Sequence, residues 1–375
     1  MKILFAIKKM DEASGGAERV LATVTEKLAA RGHDVTLLSF DRRGEDGESF
    51  YAMSPQVRRL RLGIGDADKP TSKQEVWRRI IALRRIVRLH NPDVVVAFMH
   101  SMFIPVTFAL AGTDIPVIAS EHIVPRHYKA RRGEFLLLII SMLMARRTTV
   151  LSEAVRNLYP SFLRPRMVVM PNPVLAAEQR SAPSGRDAKT KIILNVGRLD
   201  PQKDQAILIE AFSGLAGRYP DWQIRILGEG NLRPQMESRI HQLGLKERVH
   251  LPGIIRDIES EYARAHIFAL PSRYESFGLA TAEALSRGLP AVGFADCPGT
   301  NELIADGRNG ILVKARTADG LAAALEMLMK NPGLRESYGE AGRQMLQGHD
   351  PERVADLWED LIRTVAGPLQ DVSTK

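Results

Sequence analysis

Two cations in the second half of the chain are placed to bind a phosphate-rich ligand. Arg198 and Lys203 follow the apolar run "KIILNVG" within the stretch "GRLDPQKD", so both lie at the carboxyl end of a predicted strand. A guanidinium binds a diphosphate as a fork and an ammonium adds a point charge, so this pair on a strand-to-helix loop suits a diphosphate. A solvated basic loop has the same composition, and the pair by itself leaves both interpretations open.

Two carboxylates further along the chain, Glu275 and Glu283, require a partner. The helix predicted around Glu283 has small apolar residues on most sides, in "SRYESFGLATAEALSRGLPAVGF", and a buried carboxylate needs a partner or a ligand. On an exposed helix, Arg287 would pair with Glu283 at i,i+4. On a buried helix the partner would be a nucleotide sugar, with its ribose hydroxyls on Glu283 and its sugar hydroxyls on Glu275.

The start of this helix is predicted near Phe277 or Gly278. Backbone N–H groups of residues 277–279 would then form an anion site for the diphosphate. Gly278 would let the ligand approach the backbone closely.

Two motifs in the first half of the chain are weaker signals. Gly15 and Gly16 of "SGGAE" open a helix after the first strand, which is typical of a phosphate site and equally of a plain turn. His122 ends the stretch "ASEH" at the end of another strand, where a structural and a ligand-binding role both stay open.

The elements that would position these residues alternate between strand and helix patterns. Runs rich in β-branched residues, such as "DVVVAF", are typical of parallel sheets buried on both faces, and amphipathic helical patterns separate them. This rhythm predicts an α/β fold with doubly wound sheets, in which ligands bind beyond the carboxyl ends of the strands. A proline- and alanine-rich stretch interrupts it once, so we predict a first domain over residues 1–172, a linker over 173–190 and a second domain over 191–350.

The composition of the chain indicates which partners it binds and which cellular compartment it occupies. The chain of 375 residues has 52 basic and 44 acidic residues, a net charge of +8 that favours polyanions. No aromatic ladder or nucleic-acid motif accompanies the arginines, so we expect no nucleic-acid partner. The single cysteine, Cys297, fits a reducing compartment, and "MKILFAIKK" is predicted to be a strand rather than a signal peptide. We therefore expect a cytoplasmic protein.

Several motifs, taken in order, resemble one enzyme family. "SGGAE", "SEH", "GRLDPQK", "LGEG", "LPG" and the E-x7-E spacing of Glu275 and Glu283 resemble family 4 of the retaining glycosyltransferases. That family has the GT-B fold, two Rossmann-like domains facing a cleft. The resemblance covers nearly the whole chain and is strongest to members that build bacterial surface polysaccharides and lipid-linked oligosaccharides, including N-acetylgalactosaminyltransferases of bacterial N-glycosylation.

The resemblance implies a role for each candidate residue. Arg198 and Lys203 would hold the donor diphosphate, Glu275 would contact the donor sugar and His122 would lie beside that sugar. Glu283 would hold the ribose, and the residues after "LPG" would frame the base. The residues expected to bind the donor are therefore Gly15, Gly16, Gly197, Ile255, Arg256, Ser276, Phe277, Gly278, Leu279 and Glu283. The tail helix, residues 351–367, would return to the first domain.

The implied reaction moves a hexose or N-acetylhexosamine from a nucleotide sugar, UDP-linked, to a lipid-linked or polysaccharide acceptor with retention of configuration. Cations and the helix start would stabilise the leaving diphosphate, so we expect no metal or other cofactor. Asp66 and Asp68 form a D-x-D sequence that we interpret as a loop rather than a metal site. Alternative interpretations are a sugar-nucleotide epimerase or phosphorylase of similar fold, a basic nucleic-acid-binding protein, and an inactive sugar-binding module.

A basic amphipathic helix predicted over residues 75–90 indicates a further partner. Its composition is typical of a helix lying in a lipid interface and equally of one covering a sheet. Its apolar residues and arginines are Trp77, Ile80, Ile81, Ile86, Val87, Arg78, Arg79, Arg84, Arg85 and Arg88. Residues 126–132 and the apolar run 135–145 form a second candidate surface. Because a lipid-linked sugar keeps its diphosphate at the bilayer surface, we predict peripheral binding to anionic lipid on the cytoplasmic face of the inner membrane.

Overall fold

The structure is a computed structural model that describes residues 1–11, 16–41, 51–64, 72–128, 131–175, 180–185 and 188–367, except for the side chain of residue 73. The chain divides into two units. Unit 1 consists of Met1–Pro173 and Pro351–Lys375, and unit 2 of Val174–Asp350.

Unit 1 is built on a parallel sheet. Strand "VVVAF" is buried at all five positions, because helices cover both faces of the sheet. Its elements are β1 Lys2–Ala6, α1 Gly16–Ala30, β2 Asp34–Ser39, β3 Arg58–Arg61, α2 Lys73–His90, β4 Val94–Phe98, α3 His100–Ala109, β5 Val117–Ser120, a 3-10 turn Pro125–Tyr128, α4 Arg132–Met144, β6 Arg147–Val150, α5 Glu153–Leu158, a 3-10 turn Arg164–Arg166, β7 Met167–Val169 and, from the end of the chain, α13 Pro351–Ala366. Within the described residues the strand order is β3-β2-β1-β4-β5-β6-β7.

Unit 2 repeats this architecture. Its elements are β8 Lys191–Val196, α6 Gln205–Ala216, β9 Trp222–Leu227, α7 Arg233–Gln242, β10 Val249–Gly253, α8 Ile258–Arg264, β11 Ile267–Leu270, α9 Leu279–Ser286, β12 Ala291–Phe294, α10 Thr300–Leu303, β13 Gly310–Val313, α11 Ala318–Lys330, α12 Pro332–Met345 and a 3-10 turn Leu346–His349. The parallel strands of the described region follow the order β10-β9-β8-β11-β12-β13. The predicted fold class, two doubly wound α/β domains, is confirmed.

The last helix belongs to unit 1. The indole of Trp358 stacks on Phe98 of β4 with ring centroids 5.7 Å apart, and its edge meets Phe5 of β1. Arg31, the residue after α1, binds the carboxylates of Glu352 and Glu359 of α13 at 3.0 Å. Apolar packing and this ion-pair group together hold α13 against α1 and β4.

Part of the stretch that we predicted to be a linker packs on unit 2. The backbone N–H and hydroxyl of Ser181 both donate to the carbonyl of Arg287, at 3.0 and 2.9 Å. Buried Arg335 donates to the carbonyls of Pro183 and Ser184. These carbonyls give a buried guanidinium its partners, so this part of the stretch is fixed to the unit that follows it.

Candidate active site

The site in unit 2 lies where the strand order reverses. Strands β8 and β11 are neighbours, while the chain continues from β8 to β9 on one side and from β11 to β12 on the other. The loops that leave their carboxyl ends therefore diverge and leave a crevice, the usual ligand site of an open α/β sheet. We name residues 197–204 the β8 loop and residues 271–278 the β11 loop.

The two loops meet in an ion pair. Lys203 Nζ of the β8 loop lies 2.6 Å from Oε1 of Glu275 in the β11 loop. Both side chains are largely shielded, with exposed fractions of 16% and 9%. The sequence indicated no cation near Glu275 along the chain, and the tertiary fold supplies one from 72 positions away.

Hydrogen bonds keep this pair in register. Asp200 Oδ1 accepts from the backbone N–H groups of Gln202 and Lys203 at 3.0 and 3.1 Å, which closes the turn of the β8 loop. Gln202 then binds the β11 loop twice: its side-chain amide donates to the carbonyl of Tyr274 at 2.9 Å, and its own carbonyl accepts from Arg273 N–H at 2.8 Å. These contacts align Lys203 with the residue after Tyr274.

Two glycines leave room for the pair. A Cβ on Gly197 would lie 3.3 Å from Cδ and Cε of Lys203, so the lysine stem lies against a residue without a side chain. Gly299, in the loop after β12, has φ of +79°, and a Cβ there would lie 2.8 Å from the carbonyl oxygen of Glu275. Any larger residue at either position would press on the loop that holds the pair.

Arg198 is placed differently from Lys203. Its side chain is 64% exposed, and Nη2 lies 3.2 Å from Oδ2 of Asp200. Its carbonyl accepts from the side-chain amide of Gln205 at 2.9 Å, which fixes the backbone while the guanidinium stays accessible. A solvent-accessible guanidinium and a shielded ammonium on one loop have the chemistry that suits a diphosphate.

The helix predicted after the β11 loop begins one or two residues later than expected. Gly278 is its N-cap, with φ of +84°, and α9 starts at Leu279. The first intrahelical hydrogen bond runs from Thr281 N–H to the Gly278 carbonyl at 2.8 Å. No side chain of the cap residue competes for the N–H groups of the first turn, which is the geometry of an anion site.

Glu283 is buried, as the apolar pattern of its helix predicted. Its Oε2 accepts a hydrogen bond of 3.0 Å from the hydroxyl of Tyr262, a residue of α8 with no exposed surface. Arg287, the i,i+4 candidate for pairing, instead binds the carboxylate of Glu259 and donates from Nη1 to the backbone carbonyl of Glu283 at 2.9 Å. Its guanidinium lies 4.8 Å above the ring of Tyr262.

The remaining donor candidates of unit 2 lie at the same edge of the sheet. Ile255 is half-buried and Arg256 exposed, both just beyond the carboxyl end of β10. Ser276 and Leu279 are half-buried on either side of the α9 cap, and Phe277 is buried with its ring 5.2 Å from that of His349. The fold thus collects these residues at the carboxyl ends of β10 and β11.

In unit 1, His122 lies just beyond β5 and is buried. Its Nε2 lies 3.0 Å from the hydroxyl of Ser120, and that hydroxyl accepts from Thr149 at 2.8 Å. The hydroxyl of Ser120 can donate to Nε2 or accept from it, so the tautomer of His122 sets the direction of this bond. Burial lowers the pKa of His122 to about 4, so the ring is neutral at pH 7, and it stacks on Phe98 at 4.9 Å.

Glu121, the neighbour of His122, is a second buried titratable group. Its Oε1 accepts from Ile123 N–H at 2.8 Å and its Oε2 accepts from the hydroxyl of Tyr128 at 3.2 Å. Burial raises its pKa to about 8, more than these two hydrogen bonds lower it. The carboxyl group therefore holds a proton at neutral pH.

Two predicted features fall wholly or partly outside the described residues. Gly15 lies outside them, while Gly16 is the first residue of α1, at the carboxyl side of β1. Asp66 and Asp68 also lie outside the residues that the structure describes. Within the described ranges, His, Cys, Asp and Glu form no group of three that could hold a metal ion.

No sequence pattern indicates the residues that support the site. Tyr262 lies in an ordinary amphipathic helix. Arg316 lies beyond β13, yet it donates to the carbonyls of Pro271 and Ser272 at 2.9 and 3.0 Å and so fixes the start of the β11 loop. Only the sheet brings such residues to the site.

Comparison with known proteins matches most of the chain to two family models. Residues 14–177 match the model described as Glycosyltransferase Family 4, and residues 177–345 match the model described as Glycosyl transferases group 1. Together the two matches run from the first glycine-rich motif to the end of α12. The chain belongs to glycosyltransferase family 4. Its two units have the GT-B fold.

Two sequence relatives and one solved structure illustrate which proteins this glycosyltransferase is similar to. The exopolysaccharide phosphotransferase SCO2592 of Streptomyces coelicolor is 28% identical over 99% of this chain, which spans only 41% of that protein's length. The Campylobacter jejuni enzyme named GalNAc-alpha-(1->4)-GalNAc-alpha-(1->3)-diNAcBac-PP-undecaprenol alpha-1,4-N-acetyl-D-galactosaminyltransferase is 26% identical, with 97% of this chain and 99% of its own covered. Among solved structures, Anabaena Alr3699/HepE in complex with UDP and glucose superposes with a TM-score of 0.75 at 19% identity, over 97% of this chain and all of that chain.

Proposed function

We propose that this glycosyltransferase moves a hexose or N-acetylhexosamine from a UDP-sugar to a lipid-linked or polysaccharide acceptor, with retention of configuration and without a metal. The observation that carries the proposal is the shielded Lys203–Glu275 pair across the point where the strand order of unit 2 reverses. The pair places a cation that can bind phosphate in direct contact with a carboxylate that can bind sugar hydroxyls.

The leaving group sets the first requirement. Negative charge grows on the diphosphate as the bond to the sugar breaks, and fixed positive groups lower that barrier. Lys203, the accessible guanidinium of Arg198 and the first-turn N–H groups of α9 supply those groups. When a diphosphate binds Lys203, Glu275 loses part of its hold on the ammonium and turns its oxygens to the hydroxyls of the donor sugar.

The nucleoside sets the second requirement. The buried carboxylate of Glu283 accepts a hydrogen bond from the hydroxyl of Tyr262 and, in this proposal, accepts from the ribose hydroxyls as well. Ile255 and Arg256, beyond β10, frame the base in this proposal. The Anabaena protein of the same fold was crystallised with UDP, which supports UDP over other nucleotides.

The acceptor is proposed from relatives and from unit 1. The Campylobacter relative is named for an undecaprenol-diphosphate-linked glycan, which supports a lipid-linked acceptor. No helix within the described ranges is both long and apolar enough to cross a membrane. A lipid-linked acceptor keeps its diphosphate at the bilayer surface, so the proposal includes a lipid-binding surface of this chain, on the cytoplasmic face of the inner membrane.

Helix α2 offers such a surface, although its exposed residues are not the same set as the sequence predicted. Trp77, Ile81 and Leu89 are 66%, 64% and 78% exposed, so large apolar side chains point outward. The exposed arginines beside them are Arg78, Arg85 and Arg88. Apolar groups that enter the lipid beside arginines that meet anionic headgroups are the pattern of interfacial helices.

Two arginines that we assigned to this surface have structural partners instead. Arg79 is 4% exposed, donates to the carbonyl of Ile64 at 3.1 Å and pairs with Glu75 at 2.6 Å. Arg84 donates to the carbonyls of Ala109 and Ala111, at the end of α3, at 3.0 and 3.1 Å. Their positive charges are used inside unit 1, so they do not contribute to a lipid surface.

Helix α4 extends the apolar surface of unit 1. Its outward residues are Leu136, Leu137, Ile140, Leu143 and Met144. At the start of the helix, a shallow depression of about 400 Å³ is lined by Pro125, Arg126, Tyr128, Arg132 and Phe135. An apolar helix face with arginines at one end is suited to the boundary between headgroups and acyl chains.

The deciding experiment is a donor screen followed by transfer. UDP-, GDP- and ADP-sugars are compared by thermal unfolding, where a ligand at about 100 times its Kd stabilises by roughly 2.7 kcal/mol. The stabilising donor is then supplied with extracted undecaprenol-linked oligosaccharides, and the anomeric proton coupling of the product is measured by NMR. We expect a UDP-sugar and an α-linked product from an α-linked donor. Stabilisation by GDP- or ADP-sugars instead, or an inverted product, contradicts the corresponding part of the proposal.

A further inference from the structure

His100 lies at the carboxyl edge of the unit 1 sheet, beside His122. It is the first residue of α3 and follows β4 after a single residue. In the sheet, Phe98 of β4 pairs with Ser120 of β5. His100 follows Phe98 by two residues, and His122 follows Ser120 by two residues. This is the edge at which open α/β sheets bind ligands.

The backbone just before His100 is strained. Met99 has φ of 66° and ψ of 149°, a combination that is almost confined to glycine. Its N–H donates to the carbonyl of Ser120 at 2.8 Å, and its carbonyl accepts from Met102 and Phe103, which starts α3. Backbone strain of this kind persists only where surrounding contacts hold the chain in that conformation. Here the conformation of Met99 orients the imidazole of His100.

The imidazole has one nitrogen bound and one unbound. Nε2 lies 3.0 Å from Oε1 of Glu134, and a carboxylate only accepts, so Nε2 carries the proton. Nδ1 is then a hydrogen-bond acceptor; it is buried and has no partner among the described residues. Burial also lowers the pKa of His100 to about 4, against the attraction of Glu134 and with the repulsion of His127, Arg131 and Lys8, so the ring stays neutral.

The surroundings of Nδ1 favour a sugar hydroxyl over a phosphate. The half-buried ring of His127 lies 6.2 Å from that of His100 and offers apolar surface to the C–H face of a sugar, while buried Tyr128 meets the His100 ring edge-on at 5.2 Å. Nδ1 is a neutral hydrogen-bond acceptor and needs a ligand that donates a hydrogen bond. A diphosphate presents almost only hydrogen-bond acceptors. The carboxylate of Glu134, which also lies 3.5 Å from Nη1 of Arg131, adds a second hydrogen-bond acceptor for a hydroxyl.

We propose that His100 Nδ1 accepts a hydrogen bond from a hydroxyl of the acceptor sugar, held in place by Glu134 and by the strained Met99. The proposal rests on the proposed function in one respect, that unit 1 binds an acceptor glycan. His100 then helps to select the acceptor without taking part in the chemistry at the donor.

Two amide variants separate the two nitrogens. In His100→Asn the side-chain oxygen can occupy the place of Nδ1, so acceptance from the ligand is kept while the contact with Glu134 is lost. In His100→Gln the longer amide reaches the place of Nε2, so the contact with Glu134 is kept while Nδ1 is lost. A purely structural role in holding Glu134 predicts the opposite order of the two variants.

The experiment uses the full chain labelled with 15N in its histidines. Methyl α-glycosides of N-acetylgalactosamine, N-acetylglucosamine, galactose and glucose are titrated at millimolar concentrations while the imidazole nitrogens are observed by NMR. The His100 signals are those that disappear in His100→Gln. We expect one glycoside to move the Nδ1 signal, to bind His100→Asn within about twofold of the natural chain and to bind His100→Gln and His100→Ala roughly 5- to 10-fold more weakly, as loss of one hydrogen bond produces.

The failure of this inference differs from the failure of the proposed function. If no glycoside moves the Nδ1 signal, or if His100→Gln binds better than His100→Asn, the inference is overturned whether or not UDP-sugars bind. If a glycoside binds as expected but no UDP-sugar stabilises the chain, the inference stands and the proposed donor is wrong.

Discussion

Nζ of Lys203 lies 2.6 Å from Oε1 of Glu275, although the two residues are 72 positions apart. Each side chain has the other as the partner that justifies its burial, because an unpaired charge in such a place is costly. If the proposed function is correct, a change at either residue should affect both the stability of unit 2 and transfer.

The first prediction separates Lys203 from Arg198. Either change to alanine removes a cation from the leaving group and should lower turnover roughly 100-fold or more. Only Lys203→Ala should also lower the free energy of unfolding, by about 1–3 kcal/mol, because it leaves the buried carboxylate of Glu275 without its ammonium. Arg198→Ala, at a side chain that is 64% exposed, should unfold like the natural protein. Turnover with the stabilising UDP-sugar and urea unfolding are the measurements.

A double change provides the control for Lys203. Lys203→Ala combined with Glu275→Gln removes the unpaired charge, so stability should return toward that of the natural protein while turnover stays low. Full transfer activity in both single variants would mean that neither cation meets the diphosphate.

The second prediction concerns the ribose. Glu283→Gln should weaken UDP and UDP-sugar alike by about 1.5–3 kcal/mol, as loss of a charged hydrogen-bond acceptor does, while Glu275→Gln should weaken only the UDP-sugar. Tyr262→Phe removes the hydroxyl that orients Glu283, so it should weaken UDP but have little effect on 2′,3′-dideoxy-UDP, which lacks both ribose hydroxyls. Calorimetry with the three ligands measures this. Equal losses for UDP and its dideoxy form would remove Glu283 from the ribose.

The third prediction concerns metal. Transfer should continue at an unchanged rate in excess EDTA, because fixed cations and the start of α9 neutralise the leaving group. The matched measurement adds magnesium or manganese after EDTA. Activity that disappears with the chelator and returns with the metal would point to Asp66 and Asp68.

The fourth prediction concerns lipid. Changing Arg78, Arg85 and Arg88 to glutamine should abolish most sedimentation with anionic vesicles, since each arginine near such a surface contributes about 1 kcal/mol. The matched control changes three exposed or half-exposed arginines of unit 2, Arg218, Arg239 and Arg264, by the same total charge. Equal loss in both sets would mean that net charge, rather than the α2 surface, attracts the protein to lipid.

The apolar part of that surface has its own test. Trp77→Ser with Ile81→Ser should weaken binding to vesicles at high salt, where screening leaves mainly the apolar contribution. Affinity for UDP should not change, because both residues lie in unit 1. Vesicle binding that is insensitive to both sets of changes would exclude α2 from the membrane surface.

The fifth prediction follows from Glu121. Its pKa of about 8 in the folded protein lies above the ordinary value of 4.5, so the folded state holds a proton that the unfolded chain releases between these values. The stability this gives is fully present below about pH 4.5 and is lost as the pH rises through about 8. Glu121→Gln keeps the shape of the protonated form and does not titrate. Its free energy of unfolding relative to the natural protein should therefore rise across that window.

Urea unfolding at about pH 5 and about pH 9 measures the effect. The groups that face Glu121 are Tyr128, Tyr159 and Glu134, and none of them changes in the variant. Glu153→Gln, at a side chain that is 59% exposed on α5, is the matched control and should show no such trend. Parallel curves for Glu121→Gln and the natural protein would mean that Glu121 is ionised in the folded state.

Local patterns in the sequence determined much of the fold and part of the site. Strands such as "VVVAF" are recognisable because a parallel strand buried on both faces needs apolar residues at every position. Arg198 and Lys203 were recognisable because they directly follow such a strand, and Glu283 because a carboxylate stood in an apolar helix. Each of these conclusions depends on neighbours within a few residues along the chain.

Contacts between distant segments were decided only by the tertiary structure. Nothing near Glu275 in sequence indicates Lys203, and nothing near Glu283 indicates the hydroxyl of Tyr262, 21 positions away. The composition of the helix placed Arg79 with the lipid-facing arginines, whereas it is buried beside the carbonyl of Ile64 and the carboxylate of Glu75. The physical reason is common to all three. A charge is stable in a protein interior only with a partner, and strand pairing and helix packing, rather than order along the chain, determine which partner comes within 3 Å.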